Sequence, residues 1–307
     1  MRIAHFSDLH VLALQGVPTR RFFNKRFTGW VNLRLKRGHI HHSNHVRACA
    51  REMTRAKVDH VVITGDLTNL ALEQEFVAVR KLLEEDLGLA PAQISAVPGN
   101  HDLYTRGAMR DQRFTKYFHD YVASDLPALA ADIPLGRFPF VKLRGPCAII
   151  GLSSAVPRPP LMASGQLGKP QLEALTRILA HDEVKKRMPV ILLHHPVHNP
   201  PSKVKAFVEG LWDADKLIEK VAGLERGLLL HGHLHIRRQR ALGTPVGELL
   251  SVGATSASLE HDHEHKMAGF NLYTFDDATG KLDGVEAHVL DAGAESFHIE
   301  SVPLLVA

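Results

Sequence analysis

The stretch RIAHFSDLH, residues 2–10, places a short apolar segment directly before the polar triplet Asp8-Leu9-His10. The stretch DHVVITGD, residues 59–66, repeats this arrangement and ends in Gly65-Asp66. Apolar runs of this length that end in turn signals are typical of buried β-strands. Both stretches therefore predict a strand that is followed at once by side chains able to bind a metal ion.

Strand-like and helix-like segments alternate up to residue 236, which predicts a layered α/β fold. After that residue, strand-like runs at 245–252, 268–276 and 282–290 predict an antiparallel extension of a sheet. No internal repeat is visible, so residues 1–307 are expected to form a single domain with a β-rich part at 236–307. The earlier predicted strands are 2–6, 59–64, 93–97, 147–152, 189–193 and 227–230, and the predicted helices are about 43–56, 73–86, 107–122, 170–186 and 213–222.

Five polar motifs follow predicted strands. In an open α/β sheet the loops at the carboxyl ends of strands converge on one crevice, so residues distant in sequence can share a site. Carboxylate, imidazole and amide ligands without cysteine suit Mn, Fe, Zn or Mg better than a thiolate-bound zinc. The motifs are Asp8-Leu9-His10, Gly65-Asp66, Gly99-Asn100-His101-Asp102, His194-His195-Pro196 and Gly232-His233-Leu234-His235.

Spacing within two of the motifs suggests how their ligands are presented. In Asp8-x-His10 and His233-x-His235, alternation predicts that both ligands lie on one side of an extended segment. Each pair could then face one cation, or two cations about 4 Å apart. Glycines at 65, 99 and 232 would permit a tight turn beneath a ligand.

Together and in this order, the motifs resemble the complete signature of the calcineurin-like metallophosphoesterases. The resemblance extends from residue 8 to residue 235. It implies a four-layer α/β/β/α sandwich of two mixed β-sheets flanked by helices, with a dinuclear metal site at the strand ends. The motif order is similar to that of class III cyclic nucleotide phosphodiesterases and of the UDP-2,3-diacylglucosamine hydrolases of lipid A synthesis.

The resemblance also implies which residues hold the metal ions. Asp66 would bridge two divalent cations, with Mn or Fe favoured and Zn or Mg as alternatives. The other implied ligands are Asp8, His10 and His235 for one cation and Asn100, His194 and His233 for the other.

A few neighbouring residues would support the metal site. By the resemblance, His101 would stabilise charge on the phosphoryl group or protonate the leaving oxygen. Asp102 could orient the His101 ring through a hydrogen bond. His195 is the fallback ligand should His194 point away, and the serines at 153 and 154 are interpreted as turn residues.

The implied reaction is hydrolysis of a P–O bond by a hydroxide that bridges the two cations. A phosphodiesterase or pyrophosphatase acting on a nucleotide or nucleotide-like phosphate ester is the leading interpretation. An enzyme similar to the UDP-2,3-diacylglucosamine hydrolases, acting on an amphiphilic substrate, is an alternative. A catalytically silent metal-binding scaffold is another, although the complete ligand set and His101 argue against it.

Composition narrows the class of protein further. Hydrophobic residues make up 45% and charged residues 23% of the 307, values that exclude a fibrous or disordered chain. Two cysteines are too few for a disulfide framework, and the first residues show no signal-peptide pattern. We therefore expect a cytoplasmic protein. The 21 histidines are the unusual feature, and metal or phosphate binding is a common reason for such enrichment.

Residues 20–42 form a basic and aromatic insertion that contains RRFFNKRFTGWVNLRLKR at 20–37. Cations interleaved with aromatic anchors can bind the surface of an anionic membrane or cover an amphiphilic substrate. The same pattern also suits a lid whose aromatic side chains pack on the core. Peripheral membrane contact is thus one hypothesis for 20–37. No nucleic acid partner is expected, because no recognised reader motif accompanies the basic patch.

Two histidine clusters lie outside the five motifs. The first precedes a predicted helix and could either line a phosphate site or be solvated. The second is interpreted as a solvated loop. The first consists of His39, His41, His42 and His45, and the second of His261, His263 and His265.

Overall fold

The computed structural model describes residues 1–18, 26, 41–293 and 295–303. Apart from Arg26, the basic and aromatic segment 20–37 lies outside the described residues. The lid and membrane hypotheses concern this segment and therefore stay predictions. Within the described ranges, no helix is both long and apolar enough to span a membrane.

The described residues form helices and strands in alternation, followed by a β-rich end. The α-helices are α1 (Ser43–Arg55), α2 (Glu73–Asp86), α3 (Arg106–Arg110), α4 (Arg113–Tyr117), α5 (Lys169–Ala180), α6 (Asp182–Lys185), α7 (Lys203–Glu209) and α8 (Ala214–Val221). The strands are β1 (Arg2–Phe6), β2 (His60–Ile63), β3 (Ile94–Ala96), β4 (Ala131–Ile133), β5 (Gly136–Phe138), β6 (Phe140–Arg144), β7 (Cys147–Gly151), β8 (Met188–Leu192), β9 (Arg226–His231), β10 (Arg238–Thr244), β11 (Gly247–Gly253), β12 (Gly269–Phe275), β13 (Leu282–Leu290) and β14 (Phe297–Ser301).

Two six-stranded mixed sheets form the centre of the fold. The first has the order β14-β13-β12-β1-β2-β3, in which β1, β2 and β3 are parallel and β12 to β14 are added antiparallel. The second has the order β10-β11-β9-β8-β7-β6, with β7, β8, β9 and β11 parallel. Strands β4 and β5 form a separate hairpin.

Alternation along the strands divides the core into layers. In β9, Leu228 and Leu230 belong to a cluster shared with the first sheet and with α1 and α2, whereas Leu229 packs with Leu175 of α5 and Leu217 of α8. A strand presents successive side chains to opposite faces, so the second sheet is covered by the first sheet on one face and by helices on the other. The order is therefore helices, sheet, sheet, helices, which confirms the four-layer α/β/β/α sandwich.

Three short strands of the first sheet and two of the second end near one another. The loop after β1 continues parallel to the loop after β2, because the backbone N–H of Asp8 donates to Gly65 O at 3.0 Å and that of His10 to Asp66 O at 2.9 Å. The N–H of Gly232, after β9, donates to the carbonyl of His194, after β8, at 3.1 Å. The five motifs are thus held together at the carboxyl ends of the parallel strands, as the sequence predicts.

Two predicted helices are interrupted in the structure. The helix predicted over 107–122 ends at Arg110 and restarts at Arg113, because Gln112 adopts a left-handed conformation with φ of 48°. The helix predicted over 170–186 breaks at His181, which is extended and uses its side chain to accept from the backbone N–H of Glu183. Both continuous helices are therefore wrong.

The β-rich end is also more divided than the predicted antiparallel extension. Strands β12 to β14 do extend the first sheet in antiparallel fashion. In contrast, β11 joins the second sheet parallel to β9, and β10 forms the antiparallel edge beyond it. The prediction of one added sheet edge is wrong for residues 238–253, because the connection crosses from one sheet to the other.

Candidate metal centre

Three ligand atoms from the loops after β1 and β9 form a compact triangle. His235 Nε2 lies 3.1 Å from Asp8 Oδ1 and 3.2 Å from His10 Nε2, and the His10 and Asp8 atoms lie 3.9 Å apart. Ligands placed tetrahedrally about 2.1 Å from a cation would be separated by about 3.4 Å. The triangle therefore has the size and the donor types that one divalent cation requires.

The carboxylate of Asp8 is held with one oxygen turned to this triangle. Its Oδ2 accepts hydrogen bonds from Ser7 Oγ at 2.6 Å and from the backbone N–H of His233 at 3.1 Å. Its Oδ1 is buried and has no hydrogen-bond partner among the described residues. Ser256 Oγ also donates to the Asp8 carbonyl at 2.6 Å, which fixes the backbone at this ligand.

A second triad lies beside the first. Asn100 Oδ1 is 3.1 Å from His194 Nε2 and 3.2 Å from His233 Nδ1. The other ring nitrogen of each histidine donates to a backbone carbonyl, His194 Nδ1 to Thr64 O at 2.7 Å and His233 Nε2 to Glu209 O at 2.9 Å. This tautomer leaves a lone pair on the nitrogen that faces Asn100. The second triad can therefore also hold a cation.

The carboxylate of Asp66 lies between the two triads. Its Oδ1 accepts from the backbone N–H of His101 at 2.7 Å, and its Oδ2 is 3.4 Å from His194 Nε2. Ligand atoms of Asp66 also lie within 4.8 Å of those of Asp8 and His10. Asp66 is only 2% exposed, and a buried carboxylate pair of this kind needs positive charge nearby. The donors of both triads and Asp66 therefore fit two divalent cations.

Left-handed backbone conformations present most of these ligands. The φ angles of Asp8, His10, Asp66, His233 and His235 lie between 46° and 68°. A residue other than glycine in this region is uncommon, and it persists where the surrounding structure over-determines it, often at functional sites. The prediction that Asp-x-His and His-x-His are extended is therefore wrong, because each ligand is presented by a turn and not by a continued strand.

Two glycines leave room for the ligands. A Cβ on Gly99 would collide with the carboxylate and the backbone nitrogen of Asp66. A Cβ on Gly232 would collide with Ser7 Oγ and with the carboxylate of Asp8. The turn at Gly65 has a φ of 95°, which favours glycine directly. These contacts support the expected role of glycine at 65, 99 and 232.

The protonation states of the site suit metal binding. Burial, followed by the charge of His41, lowers the pKa of His10 well below 6.5, and burial with the charge of His194 lowers that of His233 to about 4. Burial opposes ionisation of Asp66, but the charges of His194, His101 and His10 outweigh it and hold the pKa of Asp66 well below its usual range. His10 and His233 are therefore neutral and Asp66 is ionised at neutral pH, the states in which these side chains bind metal.

His194 is the exception to this pattern. Burial lowers its pKa, but the charges of Asp66 and Asp8 prevail and raise the pKa to about 9. A proton on His194 is therefore stabilised by the same carboxylates that would stabilise a cation, and metal binding would displace it.

The structure also distinguishes between His194 and its neighbour. Both ring nitrogens of His195 are engaged, Nδ1 with Ser154 Oγ at 2.9 Å and Nε2 with Ala163 O at 2.7 Å. The hydroxyl of Ser154 also accepts from the backbone N–H groups of both histidines, so it supports the site beyond a turn role. Of the two histidines, only His194 turns a ring nitrogen to the metal site.

The hydrogen bond expected between Asp102 and His101 is not formed. The Asp102 carboxylate instead accepts from Gly99 N, Leu67 N, Thr68 N and Thr68 Oγ1 at 2.9 to 3.2 Å, so it connects the loops after β2 and β3. Burial and the charge of Asp66 raise the pKa of Asp102 to about 7. The predicted orienting role is wrong, because Asp102 is fully buried beneath the loops.

His101 is oriented by other groups. Its Nδ1 donates to the carbonyl of Asn69 at 2.7 Å, and its ring stacks on Tyr104 with 5.5 Å between centroids. The ring also packs edge-on against His10, with a centroid distance of 5.1 Å. His101 therefore stands beside the metal ligands with its backbone bound to Asp66. Asn69 and Tyr104 carried no recognisable signal in the sequence.

His41 is the further histidine that the fold brings to the site. Its ring centroid is 4.8 Å from that of His10 and 5.9 Å from that of His235. Its Nδ1 lies 2.7 Å from Ser258 Oγ. Of the same cluster, His39 lies outside the described residues, and His42 and His45 pack on each other. The cluster therefore divides, and composition alone could not show which member reaches the metals.

The second histidine cluster lies away from the metal site. Its three rings stack in series, with centroids 5.2 and 5.5 Å apart. His263 and His265 are exposed, and a shallow surface depression beside them is also lined by Asp262, Glu264 and Glu300. Their exposure matches the interpretation as a solvated loop.

Several of the proposed metal ligands line a cleft of about 640 Å³. Its lining includes the metal-site residues Asp66, Asn100, His101, His233 and His235, together with a cationic wall that consists of His198, Lys205, Arg238, Arg240 and Ser251. A substrate entering this cleft would contact the metal site and a cationic wall together.

Comparison with known proteins places these features in a wider context. A sequence profile described as calcineurin-like phosphoesterase matches residues 1–237. The structure is similar to a dimetal phosphatase from Danio rerio, with a TM-score of 0.58 and 14% identity over 89% of this chain and 92% of that chain. It is similar to a purple acid phosphatase from yellow lupin (Lupinus luteus) seeds, with a TM-score of 0.58 and 13% identity over 97% of this chain and 52% of that chain. The search of curated proteins found no match.

Proposed function

The chain belongs to the calcineurin-like phosphoesterase family, and from this premise we propose that it is a phosphodiesterase or pyrophosphatase working at a dinuclear metal centre. The observation that carries the proposal is the buried Asp66 carboxylate between two triads of oxygen and nitrogen donors. Each triad alone resembles an ordinary metal site. Because Asp66 is shared, the two triads form one dinuclear centre. Enzymes with such centres hydrolyse phosphate esters with water as the nucleophile.

The residues of the chain hold and position this pair. When bound, the two cations supply positive charge that polarises the phosphoryl oxygens and activates water. The left-handed turns and the buried hydrogen bonds keep the ligands in place before substrate arrives, which is the preorganisation that electrostatic catalysis requires. The proposed ligands are Asp8, His10 and His235 on one side, Asn100, His194 and His233 on the other, and Asp66 shared.

His101 is the residue proposed to act on the substrate. Its Nδ1 donates to the Asn69 carbonyl, which orients the ring, and the residue lines the cleft. From there it can stabilise charge on a phosphoryl oxygen or donate a proton to the leaving oxygen. Asp102 would contribute indirectly, because it holds together the two loops that carry Asp66 and His101.

The proposal extends to the identity of the metals and to the class of substrate. We propose Mn or Fe as the working metals, since an oxygen and nitrogen ligand set without thiolate accepts both. Turnover of bis(p-nitrophenyl) phosphate, cyclic AMP and UDP-2,3-diacylglucosamine, each with Mn²⁺, would separate a general phosphodiesterase from an enzyme for cyclic nucleotides or for an amphiphilic substrate. Activity on UDP-2,3-diacylglucosamine alone would favour the amphiphilic alternative.

Metal analysis with a matched control tests the core of the proposal. The Asp66→Ala variant should lose most bound metal and most activity on bis(p-nitrophenyl) phosphate. Asp283→Ala removes an exposed carboxylate on β13 and should keep both. Equal metal content and equal activity in the two variants would contradict the proposed centre.

A further inference from the structure

Two arginines on β10 face the cleft next to the metal site. Arg238 and Arg240 are two residues apart in an edge strand, so their side chains leave the same face of the sheet. Gln239, between them, turns to the other face, where its side chain donates to Val302 O at 3.0 Å. The cleft therefore receives two guanidinium groups from neighbouring positions of one strand.

Neither guanidinium has a partner in the described part of the chain, although both side chains are half-buried. Their charges oppose each other, since burial and then the charge of Arg240 lower the pKa of Arg238. Buried arginines are normally paired with carboxylates. Among the residues that the structure describes, this cation pair has no internal counter-ion.

Other polar groups of the same wall also lack partners. His198 Nε2 and Ser251 Oγ line the cleft and are buried without a hydrogen-bond partner among the described residues. Ser251 is the strand neighbour of Arg240 across the β10 and β11 pair. Burial and the charges of Arg240 and Arg238 lower the pKa of His198 to about 4, so its ring is neutral at pH 7. The wall thus combines two cations with a hydroxyl and an imidazole.

The remaining charges of the cleft do not neutralise this wall. Lys205 Nζ is 3.3 Å from Glu209 Oε1, so these two charges compensate each other. The other carboxylate of the cleft, Asp66, belongs to the proposed metal centre. The arginine pair therefore remains positive and is available to an anion that enters from solvent.

We propose that Arg238 and Arg240 form a binding site for a second phosphate group of the substrate, beside the phosphate that is hydrolysed. This inference rests on the proposed function for its position relative to the reaction. Guanidinium groups bind phosphate oxygens through charge-assisted, often bidentate hydrogen bonds, and Ser251 and His198 can add further contacts. A tetrahedral phosphate can accept from both arginines at once. The preferred substrates are then compounds with at least two phosphate groups.

The test measures binding without hydrolysis. The full-length Asp66→Asn variant, treated with chelator, is titrated with inorganic pyrophosphate by calorimetry at low salt. Arg238→Gln, Arg240→Gln and Arg226→Gln are then made in that background. Arg226 is the matched control, because it is an exposed arginine of the same sheet, at the first residue of β9, and β11 separates β9 from β10. Circular dichroism verifies folding, and chelated wild-type chain replaces any background that does not fold.

We expect the loss of either cleft arginine to weaken pyrophosphate binding by about tenfold or more, since hydrogen bonds to charged groups are among the stronger ones. The Arg226→Gln control should bind within about twofold of its parent, because an exposed charge far from the cleft is screened. Undetectable binding in the parent, or equal affinity in the parent and the doubly substituted protein, would overturn the arginine site. Hydrolysis plays no part in this measurement, so a failure of the proposed function would show separately as absent turnover by the metal-loaded wild type.

Discussion

Gly99→Ala adds a single methyl group at the point where the proposed bridging ligand is positioned. The new Cβ would overlap the Asp66 carboxylate and the backbone nitrogen of Asp66. The second of these contacts is with the backbone, and the first is with a side chain that hydrogen bonding holds in place. The Asp66 oxygen accepts from the N–H of His101, and the Gly99 N–H donates to the buried Asp102, so both sides of the contact are held. Relief therefore requires movement of the carboxylate or of the loop.

The size of that movement sets the expected effect. The added Cβ would lie 2.1 Å from Asp66 Oδ1, whereas a carbon atom needs about 3.5 Å from its non-bonded neighbours, so the carboxylate or the loop must shift by more than about 1 Å. Metal ligands tolerate only about 0.2 Å, and misplacement by 1 Å can lower a rate by about a hundredfold. We therefore expect Gly99→Ala to lower metal content and to reduce activity by at least about a hundredfold. The added methyl should reduce the free energy of unfolding by about 1–3 kcal/mol.

Metal analysis, turnover of bis(p-nitrophenyl) phosphate and urea unfolding would measure these effects on one preparation. Gly284→Ala is the matched control, because a Cβ at that position in β13 meets no atom within 4 Å. The control should keep the metal content and activity of the wild type. The reasoning fails if Gly99→Ala is folded and retains both metals and full activity, since Asp66 would then be free to move without consequence.

Three further predictions follow from single side chains. His101→Asn should lower kcat by about a hundredfold with metal content unchanged, and a parallel loss of metal would assign His101 to the ligands. Asp102→Ala should reduce the free energy of unfolding by about 3 kcal/mol or more in urea, because it leaves three backbone N–H groups buried and unpaired; a loss below 1 kcal/mol would contradict this. Burial lowers the pKa of His5 to about 3, so its contribution to stability is complete above pH 6.5 and declines as the pH falls towards 3, by at most about 5 kcal/mol. His5→Asn should therefore show a flatter dependence of the urea midpoint on pH than the wild type between pH 6.5 and 4, and identical slopes would rule out this role.

Much of the fold could be predicted because its central strands are apolar and short. Strand β1 and the helix α2 occupy the predicted residues, and the remaining parallel strands differ by one or two residues at an end. The hydrophobic pattern did not predict the structure where the backbone leaves the conformation that this pattern indicates. Gln112 lies within a helix-like segment and is nevertheless left-handed, with a φ of 48°.

The metal centre could be predicted as a set of residues but not as a geometry. The motifs give the types of ligand atom and their order along the chain. Both follow from residue type, which does not depend on the fold. The orientation of each side chain depends on tertiary contacts, as Asp102 illustrates. The sequence suggests that its carboxylate binds His101, but in the structure the carboxylate accepts from three loop N–H groups and a hydroxyl. His41 reaches His10 only because the chain before α1 passes the loop after β1, a contact without a local signal.

Strand β10 shows why the cationic wall was also hidden in the sequence. A strand at the edge of a sheet needs few apolar residues, so RQR at 238–240 lacks the hydrophobic alternation by which strands are recognised. Two of the polar residues that obscure the strand pattern are the arginines that line the cleft beside the metal ligands. An edge strand free of packing demands can carry charges for a ligand, because solvent reaches one side of it. Substrate selection in this protein would then reside on an edge strand without a fully buried residue, while the reaction depends on the buried central strands.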